Sequence, residues 1–326
     1  MLRVPGAKIV AIADLDLERA QAAAATAQES GHNPAVYSDF RKMLSERGKE
    51  IDAIVVATPV DTHASLALAT LESGKSVYLE KPVALNTDEC NLIEKATRSA
   101  KGILQIGFQL RHDPNRAAAI EFIRAGKAGR VVYLHAHRHT GDLPRDTPWY
   151  FDAKKSGDNI VEQACHIIDL MIWAAGSPPA RCFGSGGINV YQNQPPGRTT
   201  MDNYSVIYEW TNGLRFNFSH IYFDPSGFSG IKERAYGADG AVDLPTATYF
   251  PLGSKEQIKI RGDQPPPASR DEATYQSLAA FLDHARGRTK PLNDIVSART
   301  STLVAMMGRK SIYERRIVEW KEISRS

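Results

Sequence analysis

The sequence predicts an α/β fold in which a doubly wound parallel sheet is followed by a second, α+β domain on a large, mostly antiparallel sheet. Two observations predict it. Over the first 108 residues, short apolar segments alternate with helical ones, a rhythm typical of parallel sheets. After residue 108, longer strands of alternating polarity follow one another across a turn signal, as in antiparallel sheets. We therefore expect two domains, 1–108 and 109–326.

The elements of the first domain are predicted from apolar runs and the helical segments between them. The run IDAIVVAT at 51–58 is nearly all apolar, as expected for a strand buried on both faces. Residues 16–28 are rich in alanine and place their apolar residues on one helical face. Gly74 ends the helix before the next strand. Strands are predicted at 8–13, 36–37, 51–58, 75–79 and 103–108, and helices at 16–28, 39–47, 62–73 and 87–100.

The second domain has a different rhythm. A helix at 114–125 leads into VVYLHAHRH, a long alternating strand, and a strong helix at 159–175 is ended by Gly176. The segments SVIYEW and RFNFSHIYF flank the turn signal Asn212 and Gly213, which predicts a hairpin. Helices at 273–286 and 296–315 close the chain.

Composition and charge exclude several classes of protein. The chain has 326 residues, of which 42% are hydrophobic and 24% charged, typical of a soluble globular protein. A net charge of +3 is too small to predict a nucleic-acid or membrane surface. No apolar run reaches the roughly 18 residues of a membrane helix. Three cysteines without a C-x-x-C pair exclude a disulfide scaffold and a zinc ribbon.

Polar residues follow the predicted parallel strands at their carboxyl ends, where such sheets bind ligands. Asp14 ends the first strand. In a dinucleotide site an acid there accepts hydrogen bonds from the adenosine ribose; the alternative is a helix N-cap. Thr58 and Pro59 end the third strand. Lys81 lies between Glu80 and a proline at the end of the fourth, and on residue type alone a solvated loop lysine is favoured.

The predicted helix at 159–175 carries three ionisable residues on one face. Glu162, His166 and Asp169 lie at positions i, i+4 and i+7, which suggests a site. The alternative is that Glu162 completes a capping box and that Asp169 is a surface acid or orients His166. Two ligands alone do not predict a metal site. Three histidines alternating along one strand favour a polar sheet face or an oligomer contact over a metal: His135, His137 and His139.

Seven segments together resemble the Gfo/Idh/MocA oxidoreductases, the group of glucose-fructose oxidoreductase and inositol dehydrogenase. The specific part is Glu-Lys-Pro at 80–82, followed about 80 residues later by acid-x-x-x-His. The resemblance implies a Rossmann-type first domain. The segments are AIADLD (11–16), VYSDFRKML (36–44), IVVATPVDTH (54–63), SGKSVYLEKPVAL (73–85), IGFQLRHDP (106–114), VEQACHIIDL (161–170) and the turn at 212–213.

The resemblance also implies catalytic roles. Lys81 is similar to the family's lysine beside the nicotinamide, a hydrogen-bond donor to the substrate oxygen. His166 is similar to the general acid/base that moves the hydroxyl proton. Glu162 is the third implied catalytic residue, and it stands where the family usually carries aspartate, as Ala164 stands in place of a usual glycine. In this family the peptide bond before Pro82 is often cis.

The cofactor implied is NAD, with NADP less favoured because the Asp14 carboxylate repels a 2′-phosphate. The implied cofactor-binding residues are Asp14, Thr58, Pro59, His63, Glu80, Lys81 and Gln109. The candidate substrate residues are Arg111, Trp149 and Asp169. A salt bridge at the domain interface is the alternative for Arg111, and anchoring of its loop is the alternative for Trp149. No metal is implied.

One departure concerns the beginning of the chain. Family members begin with a strand and a Gly-x-Gly-x-x-Gly turn about 20–30 residues before the strand that ends at Asp14. This sequence has neither. We expect that the sequence starts downstream of the true start; the rival is a chain that has lost cofactor binding. We also expect a cytoplasmic protein, or a periplasmic one if an export signal precedes Met1.

Three functions follow from these observations. The first is an NAD-dependent oxidoreductase that transfers hydride from a hydroxyl carbon of a sugar, polyol or related compound. The second is an NAD-assisted lyase or glycosidase that acts through a transient keto sugar, and the third is a cofactor-free binding or assembly subunit. We expect a carbohydrate-like small molecule as ligand, no nucleic acid and no membrane. A homodimer or homotetramer is expected through an exposed sheet face bearing Tyr204, Val206, Tyr208, Phe216 and Phe218.

Overall fold

The computed structural model describes residues 1–141, 147–225, 228, 230–262, 264, 270–287 and 290–325. Its first 108 residues alternate strands and helices in the predicted order. These elements are β1 (Ala11–Ala13), α1 (Leu17–Glu29), β2 (Ala35–Tyr37), α2 (Phe40–Arg47), β3 (Ala53–Val56), α3 (His63–Glu72), β4 (Ser76–Leu79), α4 (Thr87–Thr97) and β5 (Leu104–Ile106).

The strands of this first part are all parallel, as predicted. β1 pairs with β2, and β4 pairs with β3 on one side and β5 on the other. The two groups of strands form separate sheets that share no strand pairing. All four residues of β4 are buried, which explains its apolar sequence SVYL. The predicted strands at 8–13 and 51–58 are longer than β1 and β3, because only residues 11–13 and 53–56 pair with a neighbour.

The rest of the chain builds one nine-stranded sheet with helices on one face. The strand order is β13-β12-β11-β10-β6-β9-β8-β7-β14, antiparallel except where β6 runs parallel to β9. The elements are α5 (Pro114–Arg124), β6 (Val131–His139), α6 (Ala153–Ser156), α7 (Asn159–Glu162), α8 (Cys165–Ala175), β7 (Arg181–Gly187), β8 (Asn203–Glu209), β9 (Arg215–Ile221), β10 (Ile231–Gly237), β11 (Gly240–Asp243), β12 (Thr248–Pro251), β13 (Ile258–Lys259), α9 (Arg270–Ala285), α10 (Ile295–Glu314), β14 (Val318–Glu319) and α11 (Trp320–Ser324).

The predicted continuous helix at 159–175 is wrong. The chain forms one short turn, α7, then breaks at Gln163 and Ala164 before α8 begins. At the break, the main-chain carbonyl of Glu162 accepts hydrogen bonds from Lys81 Nζ at 2.8 Å and from the Cys165 thiol at 3.2 Å. Glu162 and Asp169 are therefore on separate helices, and the i, i+4, i+7 face does not form.

The predicted oligomer face is also wrong, because those residues are already covered. Tyr204, Val206, Tyr208, Phe216 and Phe218 are all buried on the side of the sheet that packs against α8 and α10. Alternation along a strand shows that one face is apolar, but it does not show which side the helices occupy. The opposite face is open, and two of its larger apolar side chains are about half exposed: Phe183 and Ile207.

The C-terminal helices join the two parts of the chain. The hydroxyl groups of Tyr78 in β4 and Ser277 in α9 lie 3.1 Å apart, and the rings of Tyr78 and Phe281 meet edge to face at 5.5 Å. Thr302 in α10 accepts from the main-chain N–H of Val83. The hydrophobic core is thus continuous from the parallel strands to the large sheet. None of the helices in the described ranges combines the length and the hydropathy needed to cross a membrane.

Candidate active site

The carboxyl ends of the central parallel strands lie side by side. Val56 at the end of β3 is in register with Leu79 in β4, and Leu79 with Ile106 in β5. The segments that follow these strands, which contain Thr58, Lys81 and Gln109, therefore leave the sheet at one edge. That edge faces α7 and the start of α8, so a crevice lies between the two parts of the molecule.

Lys81 and Glu162 meet across this crevice. Lys81 Nζ donates to Glu162 Oε1 at 2.6 Å and to the Glu162 carbonyl at 2.8 Å, and each side chain is only 13% exposed. Two catalytic residues expected from the sequence, 81 residues apart, are thereby brought into direct contact. The Lys81–Pro82 peptide bond is cis. The alternative of a solvated loop lysine is wrong, because the ammonium group is buried and paired.

The Glu162 carboxylate keeps the lysine charged. Burial is the largest single influence and lowers the pKa of the Lys81 ammonium, but Glu162, Cys165 and Glu80 together raise it by more, so the net shift is upward. Lys81 therefore presents a protonated donor in the crevice. A group of this kind can hold a hydroxyl or carbonyl oxygen of a substrate and stabilise negative charge on it.

Glu80 lies at the same edge and contacts the loops after β4 and β5. Its carboxylate accepts from the Lys81 main-chain N–H at 3.2 Å, and burial raises the pKa of this carboxyl group. It packs directly against Gly107: a side-chain carbon at residue 107 would lie 2.7 Å from Glu80 Oε2. A larger residue at position 107 would therefore displace the Glu80 carboxylate.

His63 does not present its ring nitrogens to the crevice. The side chain is 1% exposed, and both nitrogens are engaged by main-chain oxygens: Nδ1 lies 2.8 Å from the Pro82 carbonyl and Nε2 3.0 Å from the Thr58 carbonyl. Burial lowers the pKa of this imidazole. The expected cofactor contact of His63 is therefore not supported; the ring links the loops after β3 and β4.

Asp14 is free to bind a ribose. Its Oδ1 accepts from the Asp16 main-chain N–H at 2.9 Å, and its carboxylate makes no other hydrogen bond with the described residues. The N-cap of α1 is Asp16, which accepts from the Arg19 N–H at 3.1 Å. The N-cap alternative for Asp14 is therefore wrong, and an acid with open acceptor positions at the end of β1 fits the adenosine ribose of a dinucleotide.

Three other expected residues lie at the edge. The Thr58 hydroxyl is 2.7 Å from that of Thr62, so it shapes the turn that contains Pro59. Gln109 begins a 3₁₀ turn after β5, and its buried Oε1 has no hydrogen-bond partner among the described residues. His166, half-buried at the start of α8, packs edge-on against Phe108 with ring centroids 6.3 Å apart. His166 thus lies four residues after Glu162, across the break between α7 and α8, and next to Phe108, which follows β5.

Arg111 and Asp169 bind each other, so the substrate contacts expected for them are not supported. They form a buried, two-pronged ion pair with distances of 2.8 and 2.5 Å, and they are 4% and 1% exposed. The remaining donors of Arg111 bind Leu292 and Ser297, and Ser301 donates to Asp169 at 2.6 Å. The Arg111 salt bridge therefore lies inside the second predicted domain, 109–326, and not between the two domains.

Sequence reasoning missed an aromatic cluster next to Glu162. The buried hydroxyl groups of Tyr150 and Tyr222 contact each other, and both donate to Gln163 Oε1, Tyr150 at 2.9 Å. Trp149 packs against this cluster, as the alternative that it anchors its loop requires. Stacking of Trp149 on a sugar ring stays a prediction. The available signal was the position of Gln163 directly after Glu162.

A buried carboxylate was missed as well. Asp158 precedes α7 with φ 69° and ψ 162°, a conformation that is otherwise almost confined to glycine. The backbone is held because its carboxylate accepts from Tyr313 and from the main-chain N–H groups of Asn159 and Met201. Asp158 thereby fixes the one-turn helix that carries Glu162.

The alternating histidines lie on the open face of the large sheet. The rings of His135 and His137 are 5.7 Å apart, and those of His137 and His139 stack at 4.3 Å. His139 Nε2 also lies 3.0 Å from the Ser219 hydroxyl. Within the described ranges no group of three or more histidine, cysteine or acidic side chains is placed to hold a metal ion. The arrangement matches a polar sheet face.

Comparison with known families agrees with this architecture. Residues 1–108 match the family model described as an oxidoreductase family with an NAD-binding Rossmann fold. Residues 117–243 match the C-terminal domain of the Gfo/Idh/MocA proteins. The two models together account for most of the chain.

Named relatives are inositol dehydrogenases. The chain is 33% identical over 175 residues to inositol 2-dehydrogenase 2 of Saccharopolyspora erythraea, a match that covers 53% of this chain and about half (48%) of that protein. It is 27% identical over 248 residues to scyllo-inositol 2-dehydrogenase (NAD(+)) of Bacillus subtilis, which covers 76% of this chain and 68% of the relative.

Solved structures share the fold. Myo-inositol 2-dehydrogenase from Lactobacillus plantarum superimposes with a TM-score of 0.78 at 20% identity, over 97% of this chain and 93% of that one. Levoglucosan dehydrogenase in complex with NADH and levoglucosan gives 0.81 at 19% identity, over 98% and 92%. The predicted fold class is confirmed. On the family match, the parallel sheet and the crevice at its carboxyl edge, the chain belongs to the Gfo/Idh/MocA oxidoreductases, NAD-binding proteins with a Rossmann-type first domain.

Proposed function

We propose that the protein is an NAD-dependent dehydrogenase that oxidises a secondary hydroxyl group of a cyclic polyol or sugar. The observation that carries this proposal is the buried Lys81–Glu162 pair at the edge of the parallel sheet, with His166 four residues further along the chain. The inositol dehydrogenases among the relatives support a carbohydrate-like substrate. Neither the non-redox nor the cofactor-free alternative is favoured by these matches.

The reaction divides between the cofactor and the protein's own groups. NAD, when bound, accepts a hydride from the carbon that carries the hydroxyl group. The hydroxyl proton must leave as that carbon becomes a carbonyl, and His166 accepts it as general base. Lys81 Nζ donates a hydrogen bond to the same oxygen and stabilises the negative charge that develops on it. The products are a ketone, NADH and one proton.

Glu162 controls the lysine in this scheme. Its carboxylate holds the Lys81 ammonium in place and maintains its charge. The carboxylate and the main-chain carbonyl at the break between α7 and α8 together receive two of the three ammonium hydrogens. The third donor position is left for the substrate oxygen.

The cofactor is held by the first domain. We assign the adenosine ribose to Asp14, whose carboxylate has open acceptor positions at the end of β1. Thr58, Pro59, Glu80 and Gln109 lie at the carboxyl edge of β3, β4 and β5, and they are the proposed contacts toward the nicotinamide end. The buried, unpartnered Gln109 Oε1 is consistent with a ligand donor at this position.

The proposal is tested by following NADH absorbance with myo-inositol, scyllo-inositol, D-glucose and D-galactose as candidate substrates. Steady accumulation of NADH in proportion to ketone is expected for at least one of them. Lys81→Met should abolish it, whereas Lys95→Met, which changes an exposed lysine on α4, should leave it unchanged. Product formation without net NADH would contradict the dehydrogenase and favour the transient-oxidation alternative.

Self-association is a separate proposal. The open face of the nine-stranded sheet, with Phe183 and Ile207 about half exposed, is the surface through which we propose a homodimer or homotetramer. Sedimentation velocity at micromolar concentration is expected to show a species larger than the monomer. Ile207→Lys should shift it toward monomer, and a stable monomer in the unmodified protein would contradict the proposal.

A further inference from the structure

Among the described residues, Arg138 has no counter-ion, and it belongs to the large sheet that faces the candidate active site. It is the eighth residue of β6, and it lies on the helix-covered face of the sheet together with the fully buried Leu134 and Ala136. Its Nε is buried and has no hydrogen-bond partner, and no carboxylate of the described residues forms an ion pair with its guanidinium. Arg138 as a whole is partly buried, and its buried Nε is the donor that lacks an acceptor.

Other unsatisfied polar atoms surround it. His220 is the register neighbour of Arg138 on β9; its Nδ1 lies 2.9 Å from the Tyr204 hydroxyl, but its buried Nε2 has no partner among the described residues. The buried hydroxyl of Thr140, two residues after Arg138, is in the same condition. Buried groups of this kind are rare unless something else satisfies them.

His220 is connected by side-chain contacts to the residue next to Glu162, the partner of Lys81. The His220 ring packs on Tyr222 with centroids 4.4 Å apart, and Tyr222 donates to Gln163, the residue after Glu162. Burial raises the pKa of the Tyr222 hydroxyl and lowers that of His220, and the charge of Arg138 reaches both groups. A chain of contacts thus runs from Arg138 through His220, Tyr222 and Gln163 to Glu162.

We propose that Arg138, with His220 and Thr140, binds a carboxylate group of the substrate, so that the protein oxidises a sugar acid. This inference rests on the proposed dehydrogenase function and narrows its substrate class. The guanidinium supplies the charge and paired N–H donors that fit a carboxylate. The carboxylate would lie on the large-sheet side of the crevice, and the hydroxyl to be oxidised on the lysine side.

A carboxylate fits better than a phosphate because the described residues offer one unpaired cation in this region, Arg138. The nearby Arg198 has its donors engaged by the main-chain carbonyls of Gln194, Thr200 and Met201, and its guanidinium stacks over Phe151. A phosphate dianion would require a second charge that the described part of this region does not offer. One guanidinium matches the single charge of a uronate or an aldonate.

The test compares ligands that differ only in this group. Calorimetric titrations are made with D-glucuronate and D-glucose, and with D-galacturonate and D-galactose, in the presence of NADH so that no turnover occurs. A charge-assisted hydrogen-bonded contact should make at least one uronate bind about 10- to 100-fold more tightly than its neutral partner. Equal affinity within both pairs, or no binding of either uronate, would overturn the proposal.

Variants of Arg138 test whether this residue causes the preference for uronates. Arg138→Met should remove it, and Arg138→Lys should retain part of it, because the charge remains but the planar fork does not. Arg215→Met is the matched control, since Arg215 lies on the neighbouring strand β9 but on the open face of the sheet. If Arg138→Met does not fold, Arg138→Gln and Arg138→Lys provide the comparison. A preference that survives in every Arg138 variant would overturn the assignment.

NADH formation and uronate binding, measured on the same protein, distinguish this inference from the proposed function. NADH formation with neutral polyols and no preference for uronates would refute the anion site and leave the dehydrogenase intact. Tight uronate binding that depends on Arg138, but no NADH with any sugar, polyol or uronate, would support the anion site and refute the dehydrogenase.

Discussion

The Tyr313 hydroxyl of α10 donates a hydrogen bond to the Asp158 carboxylate, 155 residues earlier in the chain, and so closes the turn that precedes α7. Asp158 is fully buried, and burial raises the pKa of its carboxyl group while the Tyr313 hydrogen bond opposes that shift. A strained residue and a distant helix therefore fix the short segment that carries Glu162.

Removing the Tyr313 hydroxyl should destabilise the protein. Tyr313→Phe leaves a buried carboxylate short of one donor, so the free energy of unfolding should fall by about 1–3 kcal/mol. Urea unfolding followed by circular dichroism measures it. Tyr191→Phe is the control, because the Tyr191 hydroxyl makes no hydrogen bond with the described residues. Equal stability of both variants would show that the Asp158 contact contributes nothing.

Glu162 should set the alkaline limit of activity. In Glu162→Gln the carboxylate that raises the pKa of Lys81 is gone, while burial still lowers it, so the ammonium loses its proton at lower pH. The alkaline limb of the kcat profile should move toward neutral pH, and kcat should fall. Glu162→Asp keeps the charge and should retain the limb near its original position. Identical limbs in all three proteins would exclude this role.

His166→Ala should lower kcat by about 10²–10⁴, the usual contribution of a positioned acid/base group. NAD affinity, measured by fluorescence titration, should be retained, because the histidine acts on the substrate side. A thermal melt serves as the control for folding. If the variant melts earlier but keeps its turnover per folded molecule, His166 has only a packing role.

Asp14 should determine the choice between NAD and NADP. Asp14→Ser removes both the ribose acceptor and the charge that repels a 2′-phosphate, so the preference for NAD should fall by about tenfold or more. Asp16→Asn is a matched control, since asparagine also caps helices and Asp16 lies only two residues away. Comparable affinity of the unmodified protein for both cofactors would contradict the assignment.

Buried histidines should make the protein acid-sensitive. Burial, with the nearby charges of His284 and Arg111, lowers the pKa of His112 to about 4, below its unfolded value of 6.5. The unfolded chain then binds more protons between these two values, so stability is present above pH 6.5 and is lost as the pH falls toward 4. Burial lowers the pKa of His63 and His220 in the same direction. His112→Gln should show a shallower loss of stability in unfolding titrations over this range.

The sequence predicted the site and the helix limits best where a short local motif has a specific structural or chemical role. Residue type alone favoured a solvated loop lysine at position 81; the resemblance carried by Glu-Lys-Pro and the later acid-x-x-x-His identified Lys81, and the structure places its ammonium against Glu162. Helix limits were close for the same reason: Asp39, Asn86 and Asp113 each cap a helix start. Both depend on local chemistry.

Features that depend on distant contacts could not be predicted. Arg111 and Asp169 are 58 residues apart, and only the packing of α8 against the turn after β5 shows that they neutralise each other. At the break between α7 and α8 the Glu162 carbonyl accepts from Lys81, which lies in another part of the chain, and the local sequence does not report that contact. The apolar face of β8 and β9 was predicted to be exposed. The sequence of those strands does not show that helices cover it.

The packing of α9 and α10 against the parallel strands has a consequence for synthesis on the ribosome. Tyr78 in β4 is covered by α9, whose Ser277 is synthesised 199 residues later. The main-chain N–H of Ile106 and the Asn293 carbonyl are likewise paired across most of the chain. The first half of the protein therefore leaves the exit tunnel with apolar strand faces uncovered, and its native burial is completed only after almost the whole chain has been translated.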